Sequence, residues 1–319
     1  MNKQGWSDEV FEQVRQGVYA ANRAFTEHLS AEWQQRVLQR ASELAPRDSA
    51  CPRADVNVVL FHVKIPESAS AVNAPDIRNI DHGLVDYEAL IRLNIRVAHQ
   101  TNPRCRVILI TDHEFLADVV EADRLTIRRL SVNGAEPMFE RVWAMAAYVE
   151  SELFDAPTVF LDSDAFLLRP IHNLFANDFD VGLTHRDIVG QMPINEGVIF
   201  ANTLDRKAVS AVLRSYLATY LAIEASPEVG AIYSNVRRWR GGQLSVNAIA
   251  NGGQVYASSM DNGAGVARVV RLPCSAYNLS QIGEGEVRPA LRDRCVVLHL
   301  KGSRKHWTER LVDVIGCAG

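Results

Sequence analysis

Two aspartates, Asp162 and Asp164, stand one residue apart directly after the short apolar run of residues 158–161. Such a run behind a proline predicts a buried strand of an α/β sheet, and open α/β sheets bind ligands outside the carboxyl ends of their strands. Two carboxylates this close repel each other, and a divalent cation allows both to stay ionised. The pair therefore predicts a hard-metal site with open positions for phosphate oxygens. A turn former or a helix cap is the equally open alternative for so short a pattern.

Three later stretches place polar side chains at the ends of predicted elements. Segment 195–200 begins with Asn-Glu-Gly and continues as an apolar run. Gln243 and Asn247 are four residues apart on a predicted helix, so both amides face the same side. Segment 299–307 closes a strand with a histidine, which a glycine and a lysine follow. These stretches add an imidazole, a cation and several amides to the groups that can do chemistry.

Taken with the Asp-x-Asp pair, the order of these stretches resembles that of the GT-A-fold glycosyltransferases, most closely glycosyltransferase family 8. The family signature His-x-x-Gly-x-x-Lys-Pro-Trp stands here in segment 299–307, with His306 in place of the proline. The family's Asn-x-Gly-Val element matches residues 195–198, and its Leu-Pro…Tyr-Asn element looks like residues 272–278. The resemblance covers residues 56–310 and implies a GT-A-type, Rossmann-like mixed sheet flanked by helices.

The resemblance also implies a reaction and the residues that perform it. The reaction is metal-dependent transfer of a hexose from a nucleotide diphosphate sugar, expected to be UDP-linked, to a carbohydrate or other hydroxyl acceptor, with retention of configuration. The implied ligands of Mn²⁺ or Mg²⁺ are Asp162, Asp164 and His299. The implied catalytic residues are Gln243, Asn195, Lys305 and Arg141. Lys305 would bring its charge to the leaving phosphate, where negative charge grows as the bond breaks.

The donor nucleotide is expected at the carboxyl edge of the sheet. His62 and Lys64 follow the first predicted strand and Asp112 follows the second, which suits contacts to a base and a ribose. A solvated loop residue is the open alternative for each of the three. By resemblance, the donor-binding set also contains Asp162, Ser163, Asp164, Gly302 and Lys305.

Two positions beside Gln243 depart from the family pattern. The family carries acidic residues on both sides of this glutamine, typically as Asp-Gln-Asp, whereas this chain has Gly242 and Leu244. A carboxylate that usually touches the sugar is therefore missing from this helix. The departure keeps a second function open, that of a catalytically degenerate family member acting as a sugar-nucleotide binding or scaffold protein. A sugar-1-phosphate nucleotidylyltransferase is disfavoured, because no glycine-rich loop follows the first strand.

Strand and helix patterns alternate over residues 56–162, which predicts an α/β sheet that binds nucleotides at its carboxyl edge. Strands are expected at 56–63, 106–110, 126–130, 179–184, 197–201, 269–272 and 295–300, and helices at 86–99, 138–153, 206–224 and from 243. Residues 7–45 have helical spacing, with Ser7 and Ser30 as expected N-caps. We therefore divide the chain into a helical extension (1–50), a GT-A glycosyltransferase domain (56–310) and a tail (311–319).

The composition is that of a globular protein with a sizeable core, because 47% of the 319 residues are hydrophobic and 23% are charged. The net charge of −4 disfavours nucleic acid as a general partner. No two of the five cysteines form a Cys-x-x-Cys motif. No apolar run approaches the ~20 residues of a membrane span, and residues 1–10 do not resemble a signal peptide. We expect a cytoplasmic protein without a transmembrane segment, in which the N-terminal helices are a candidate contact between copies.

Overall fold

The computed structural model describes residues 8–45, 54–66, 86–122, 124–186, 192–233, 235–238, 240–251, 267–280, 295–301 and 304–305. Its helices are α1 (Asp8–Arg23), α2 (Ala31–Leu44), α3 (Tyr87–Thr101), α4 (Pro137–Glu150), α5 (Arg206–Glu224), α6 (Pro227–Gly230), α7 (Gly241–Asn251) and α8 (Cys274–Tyr277), with a 3-10 helix at His172–Ala176. Its strands are β1 (Val56–His62), β2 (Cys105–Thr111), β3 (Leu125–Arg129), β4 (Thr158–Leu161), β5 (Ala165–Leu167), β6 (Val181–His185), β7 (Ile194–Ala201), β8 (Val269–Pro273) and β9 (Val297–His299). None of the described helices has the length and apolarity needed to cross a membrane.

Seven strands form one mixed sheet in the order β3-β2-β1-β4-β7-β6-β8, and β5 pairs with β9 in a second sheet. β1 runs parallel to β2 and β4, and β2 runs parallel to β3, so the carboxyl ends of four strands share one edge. β7 is antiparallel to β4 and β6. The predicted mixed α/β sheet flanked by helices, with further helices at the N-terminus, is confirmed.

Apolar side chains on both faces of the strands explain why the sheet is buried. On β1 and β2, Val59 and Ile108 face the side that α4, α5 and α7 cover, while Val58 and Val107 face the side where α3 packs. Successive side chains of a strand alternate between faces, so a continuous apolar run suits a strand that is covered on both faces. The strands expected at these runs are confirmed.

The N-terminal helices pack on the helical layer of the sheet. The Ser30 hydroxyl accepts a hydrogen bond from the Trp33 backbone N–H at 3.4 Å, so the predicted cap of α2 is confirmed. α1 lies against α7, and α2 lies against α4. A buried ion pair of 2.5 Å joins Arg40 on α2 to Glu140 on α4. Ser7, residues 46–53 and the tail 311–319 lie outside the described residues.

Two strands differ from the expectations at the point where they shape a site. β7 begins at Ile194, three residues before the expected start, because β6 pairs with it as far as Ile194. Asn195 and Glu196 therefore lie inside the sheet instead of preceding it. β5 follows the aspartate pair and is not among the expected strands, and its pairing with β9 sets Ala165 opposite His299.

Candidate active site

Three candidate metal ligands converge where β4 ends. The Asp162 backbone N–H donates a 2.9 Å hydrogen bond to the carbonyl of Gly197 on β7. Asp164 precedes β5, and the pairing of β5 with β9 brings His299 alongside. His299 Nε2 lies 3.0 Å from Asp164 Oδ1 and 3.6 Å from Asp162 Oδ2. One ligand atom from each of the three residues lies within 4.8 Å of the others, so together they can hold a metal ion.

A chain of hydrogen bonds decides which nitrogen of His299 carries the proton. The Asn278 amide Nδ2 donates to Thr184 Oγ1 and to Asn195 Oδ1, both at 2.8 Å, and Asn195 Oδ1 also accepts from the Gly197 backbone N–H. Asn278 Oδ1 must therefore accept its 2.9 Å bond from His299 Nδ1–H. Burial lowers the pKa of His299, although the charge of Asp164 opposes this shift, and with the proton on Nδ1 the Nε2 lone pair faces the aspartates. A lone pair facing two carboxylates is the arrangement that a bound cation stabilises.

Gly197 allows strand β7 to approach this cluster closely. A Cβ atom at this position would lie 2.6 Å from Asp162 Oδ2 and would collide with the His299 imidazole. Any other residue would therefore displace a candidate ligand. This close approach is a physical reason for the glycine of the Asn-x-Gly-Val element.

Two buried cations flank the aspartates. Lys305 Nζ lies 3.3 Å from Asp164 Oδ2, and Arg141 Nη2 lies 3.1 Å from Asp162 Oδ1. Arg141 also donates a 3.0 Å hydrogen bond to the Glu196 carbonyl, while its Nη1 has no hydrogen-bond partner among the described residues. Both predicted catalytic cations thus lie beside the three candidate metal ligands, and their roles in catalysis stay predictions.

The other two predicted catalytic residues are tied to strand β7. Gln243 on α7 accepts a 3.3 Å hydrogen bond from the Glu196 backbone N–H and donates to the Ile194 carbonyl. Asn247, on the next turn, accepts a 2.9 Å hydrogen bond from the Ile194 N–H. Asn195 is buried, and its side chain belongs to the hydrogen-bond chain that orients His299. These bonds hold α7 against β7, and a direct part for Gln243 or Asn195 in the reaction stays a prediction.

Glu196 is a buried carboxylate that the sequence patterns did not single out. Tyr216 on α5 donates a 2.8 Å hydrogen bond to Glu196 Oε2, and Arg141 Nη1 lies 3.8 Å from the same oxygen. Burial raises the pKa of Glu196 to about 7, although Arg141 opposes this shift. A carboxylate inside an apolar strand is a detectable signal. Glu196 was not predicted to lie inside a strand because the apolar run that predicts this strand starts only at Gly197.

The predicted donor contact His62 lies in an aromatic cluster at the end of β1. Its ring is stacked on Tyr87 at 4.8 Å between centroids and is tilted against Phe115 at 4.4 Å. Burial lowers the pKa of His62 to about 4, so the ring is neutral at pH 7. The Lys305 ammonium lies 5.8 Å from the centre of the Tyr87 ring, which joins this aromatic cluster to the aspartates.

The remaining predicted donor contacts have different surroundings. Asp112 accepts backbone N–H bonds from Lys64 at 2.5 Å and Glu114 at 2.9 Å, so its carboxylate connects the loops after β1 and β2. The Lys64 side chain is exposed and pairs with Glu114 at 3.1 Å. The Ser163 carbonyl accepts a 3.2 Å bond from Asn94. Gly302 lies outside the described residues, and contacts of all these residues with a donor stay predictions.

No protein-family model matches the sequence, and no curated protein matches it either. Among solved structures, the glycosyltransferase GlyE of Streptococcus pneumoniae TIGR4 is 15% identical, with a TM-score of 0.49 over 82% of this chain and 59% of its own; the chain thus spans less than two thirds of GlyE. The galactosyltransferase LgtC, in complex with donor and acceptor sugar analogs, is 14% identical, with a TM-score of 0.45 over 82% of this chain and 95% of its own. Mouse xyloside xylosyltransferase 1 is 12% identical, with a TM-score of 0.42 over 76% of this chain and 97% of its own. All three TM-scores lie below 0.5, and all three sequence identities lie at or below 15%.

Proposed function

We propose that this chain is a metal-dependent glycosyltransferase that moves a hexose from a nucleotide diphosphate sugar, UDP-linked, to a hydroxyl of a carbohydrate or other acceptor. The observation that carries the proposal is the convergence of Asp162, Asp164 and His299 at the carboxyl edge of an α/β sheet, with one ligand atom from each within 4.8 Å of the others. This donor set of one nitrogen and carboxylate oxygens fits Mn²⁺ better than Mg²⁺, which prefers oxygen alone. When bound, such an ion neutralises charge on the phosphates of a departing nucleoside diphosphate.

In the proposed reaction, the bond between the anomeric carbon and the β-phosphate oxygen breaks, and the nucleoside diphosphate keeps the electron pair. The acceptor's hydroxyl oxygen forms the new bond to that carbon, and its proton is released. Asp162, Asp164 and His299 would hold the ion. Lys305 lies 3.3 Å from Asp164, which is one of the candidate metal ligands. Its ammonium would therefore be near enough to the ion to pair with the same phosphates. Retention of configuration enters the proposal through the family resemblance.

The aromatic cluster at the end of β1 supports a position for the nucleotide base. His62, Tyr87 and Phe115 offer stacked rings beside Lys305, on the same sheet edge as the aspartates. Aromatic faces stack on bases, and a neutral imidazole does so without adding charge. We assign the base to this cluster and the diphosphate to the neighbouring metal ligands.

The proposal includes a cytoplasmic location. Cys105, Cys274 and Cys295 are free thiols in the described part of the chain. Burial raises the pKa of Cys105 and of Cys295 to about 12, so both are protonated and unreactive. Buried free thiols suit a reducing compartment. A contact between copies of the chain through α1 and α2 stays a prediction.

The proposal is tested by thermal unfolding with UDP-, GDP- and ADP-linked hexoses, each with Mn²⁺ and with EDTA. A donor at 100 times its dissociation constant should stabilise the protein by about 2.7 kcal/mol. We expect one nucleotide class to stabilise the wild type when Mn²⁺ is present, and Asp164→Asn to abolish this effect. Turnover of that donor, measured as released nucleoside diphosphate, then shows transfer or hydrolysis.

The matched control is Asp180→Asn. Asp180 is also buried and is paired with Arg268 at 3.0 Å, but it precedes β6, at the opposite edge of the sheet. This variant should unfold at a lower temperature and still respond to donor and Mn²⁺. Failure of every donor to stabilise the wild type would sink the proposal. Manganese-dependent binding without any turnover would favour the binding or scaffold function instead.

A further inference from the structure

The Glu196 carboxylate lies beside the candidate metal cluster without belonging to it. Its neighbour in sequence, Gly197, contacts Asp162 and His299, and the Arg141 side chain lies between Asp162 and Glu196. The Glu196 side chain is 11% exposed, so the carboxylate is mostly removed from water. A buried carboxylate that no cation neutralises fully is costly, which makes its presence here informative.

Gly242 leaves the space that this carboxylate fills. A Cβ atom on Gly242, in the first turn of α7, would collide with Glu196 Oε2 and would lie 3.0 Å from the Tyr216 hydroxyl. Glu196 and Gly242 are therefore compatible only as a pair, because a larger residue at 242 would push the carboxylate out. Gly242 directly precedes Gln243, whose side chain bonds to the Glu196 backbone. The Glu196 carboxylate of strand β7 thus occupies the space that a side chain at position 242 would otherwise fill.

A simpler task, neutralising Arg141, does not explain this arrangement. Arg141 already pairs with Asp162 at 3.1 Å, whereas its Nη1 is 3.8 Å from Glu196 Oε2, too far for a hydrogen bond. Tyr216 holds Oε2 at 2.8 Å, and within the described part of the chain no hydrogen bond reaches Oε1. One oxygen is fixed, and the other has capacity for a ligand.

We propose that Glu196 supplies the carboxylate that contacts the transferred sugar, delivered from strand β7 into the space left by Gly242. The inference rests on the proposed function, and it names the residue that replaces the acid missing before Gln243. Breaking the bond to the phosphate gives the anomeric carbon and ring oxygen positive charge, which a fixed carboxylate stabilises. Glu196 Oε1 would also accept hydrogen bonds from sugar hydroxyls, so it would help to select the hexose.

The test compares Glu196→Gln, Glu196→Ala, Gly242→Asp and the double variant Glu196→Ala/Gly242→Asp. The probes are UDP, UDP-glucose and UDP-galactose with Mn²⁺, and the readouts are kcat, KM and the dissociation constant of UDP alone. Glu196→Gln keeps the shape and the bond from Tyr216, so it should fold. We expect it to lose about a hundredfold in kcat while its affinity for UDP, which lacks the sugar, stays unchanged.

The double variant places a carboxylate on helix α7 in place of the one on strand β7. Gly242→Asp alone should have a lower kcat because its side chain collides with Glu196. Glu196→Ala alone should have a lower kcat because the carboxylate is gone. Together they should regain at least tenfold in kcat over Glu196→Ala, since the side chain at 242 then occupies the vacated space. The control is Glu150→Gln, a comparably buried glutamate that pairs with Arg214 at 2.5 Å and bonds to Ser210, and it should keep wild-type kinetics.

The outcomes separate this inference from the proposed function. A wild type that neither binds UDP with Mn²⁺ nor turns over a donor defeats the proposed function, and the inference fails with it. A wild type that is active while Glu196→Gln stays within threefold of it overturns the inference alone. The inference is also overturned if Glu196→Gln weakens the binding of UDP and UDP-sugar equally, because the residue would then act on the nucleotide site and not on the sugar.

Discussion

At the scale of single residues, one amide decides which face of His299 meets the aspartates. The Asn278 side chain has its orientation fixed by two acceptors, Thr184 Oγ1 and Asn195 Oδ1, so its own oxygen is left for His299 Nδ1–H. The Nε2 lone pair must then point to Asp164. Metal-binding histidines are commonly oriented in this way by the bond that their other nitrogen makes.

We predict that Asn278→Ala weakens Mn²⁺ binding by about 10–100-fold, because the imidazole loses its fixed tautomer. The affinity is measured by titration of the metal-free protein, and ¹⁵N NMR of the His299 ring should show a mixture of tautomers in place of one. Asn177→Ala is the control, since this exposed side-chain amide donates to the nearby Leu174 carbonyl and lies outside the hydrogen-bond chain that reaches His299. A single tautomer and an unchanged affinity in Asn278→Ala would show that the amide does not orient the ring.

Sequence patterns predicted which candidate metal ligands lie close together, but they did not predict the carboxylate that lies beside them. The order of the motifs was enough to name Asp162, Asp164 and His299, whose atoms the fold brings within 4.8 Å. Glu196 could not be found in this way, since its fit to Gly242 depends on how closely α7 packs against β7. No local pattern records that distance.

At the scale of elements, helix α4 connects the N-terminal helices to the site. Consecutive residues on it face different partners, because side chains one residue apart do not lie on the same side of a helix. Glu140 pairs with Arg40 on α2, whereas Arg141 pairs with Asp162. The Arg40 guanidinium also lies 3.4 Å from the centre of the Trp143 ring. The position of Arg141 therefore depends on a helix that α2 holds in place.

We predict that Arg40→Ala lowers the free energy of unfolding by about 3–5 kcal/mol, because it leaves the Glu140 carboxylate buried without its partner. The double variant Arg40→Met/Glu140→Leu should recover most of this loss. Urea denaturation measures both changes. The control Arg36→Ala removes an exposed pair with Glu32 on the same helix and should cost less than about 1 kcal/mol. A cost that small for Arg40→Ala as well would mean that the buried pair does not hold α2.

The elements differ in how far the sequence could predict them. Helix α5 has the predicted bounds, Arg206–Glu224, because its apolar stripe and its Asp205 cap are local features. Strand β5 has three residues and exists through its pairing with β9, which comes far later in the chain. Short elements of this kind are set by long-range contacts, which a local apolar pattern does not record.

At the scale of the whole molecule, the N-terminal helices and the sheet share one hydrophobic core. Val37 and Leu44 of α2 belong to the same apolar cluster as Val59 of β1 and the inner faces of α4, α5 and α7. Trp33 packs edge-on against Phe139 of α4 at 5.5 Å between ring centroids. The predicted boundary between an extension (1–50) and a glycosyltransferase domain (56–310) therefore crosses a continuous core.

We predict that the chain without residues 1–45 does not fold cooperatively, because its apolar surface on α4, α5 and α7 would face water. Each buried aliphatic side chain contributes about 1.5–3 kcal/mol, and α1, α2 and the segment between them bury Val14, Leu29, Val37 and Leu44. Losing them consumes most of the roughly 5–15 kcal/mol that stabilises a typical domain. The shortened chain should bind a hydrophobic dye, lose near-ultraviolet circular dichroism and melt without a sharp transition, and adding residues 1–45 as a separate peptide should restore the transition. A sharp transition in the shortened chain alone, within a few degrees of the full chain, would instead show that residues 46–319 fold independently of the N-terminal helices.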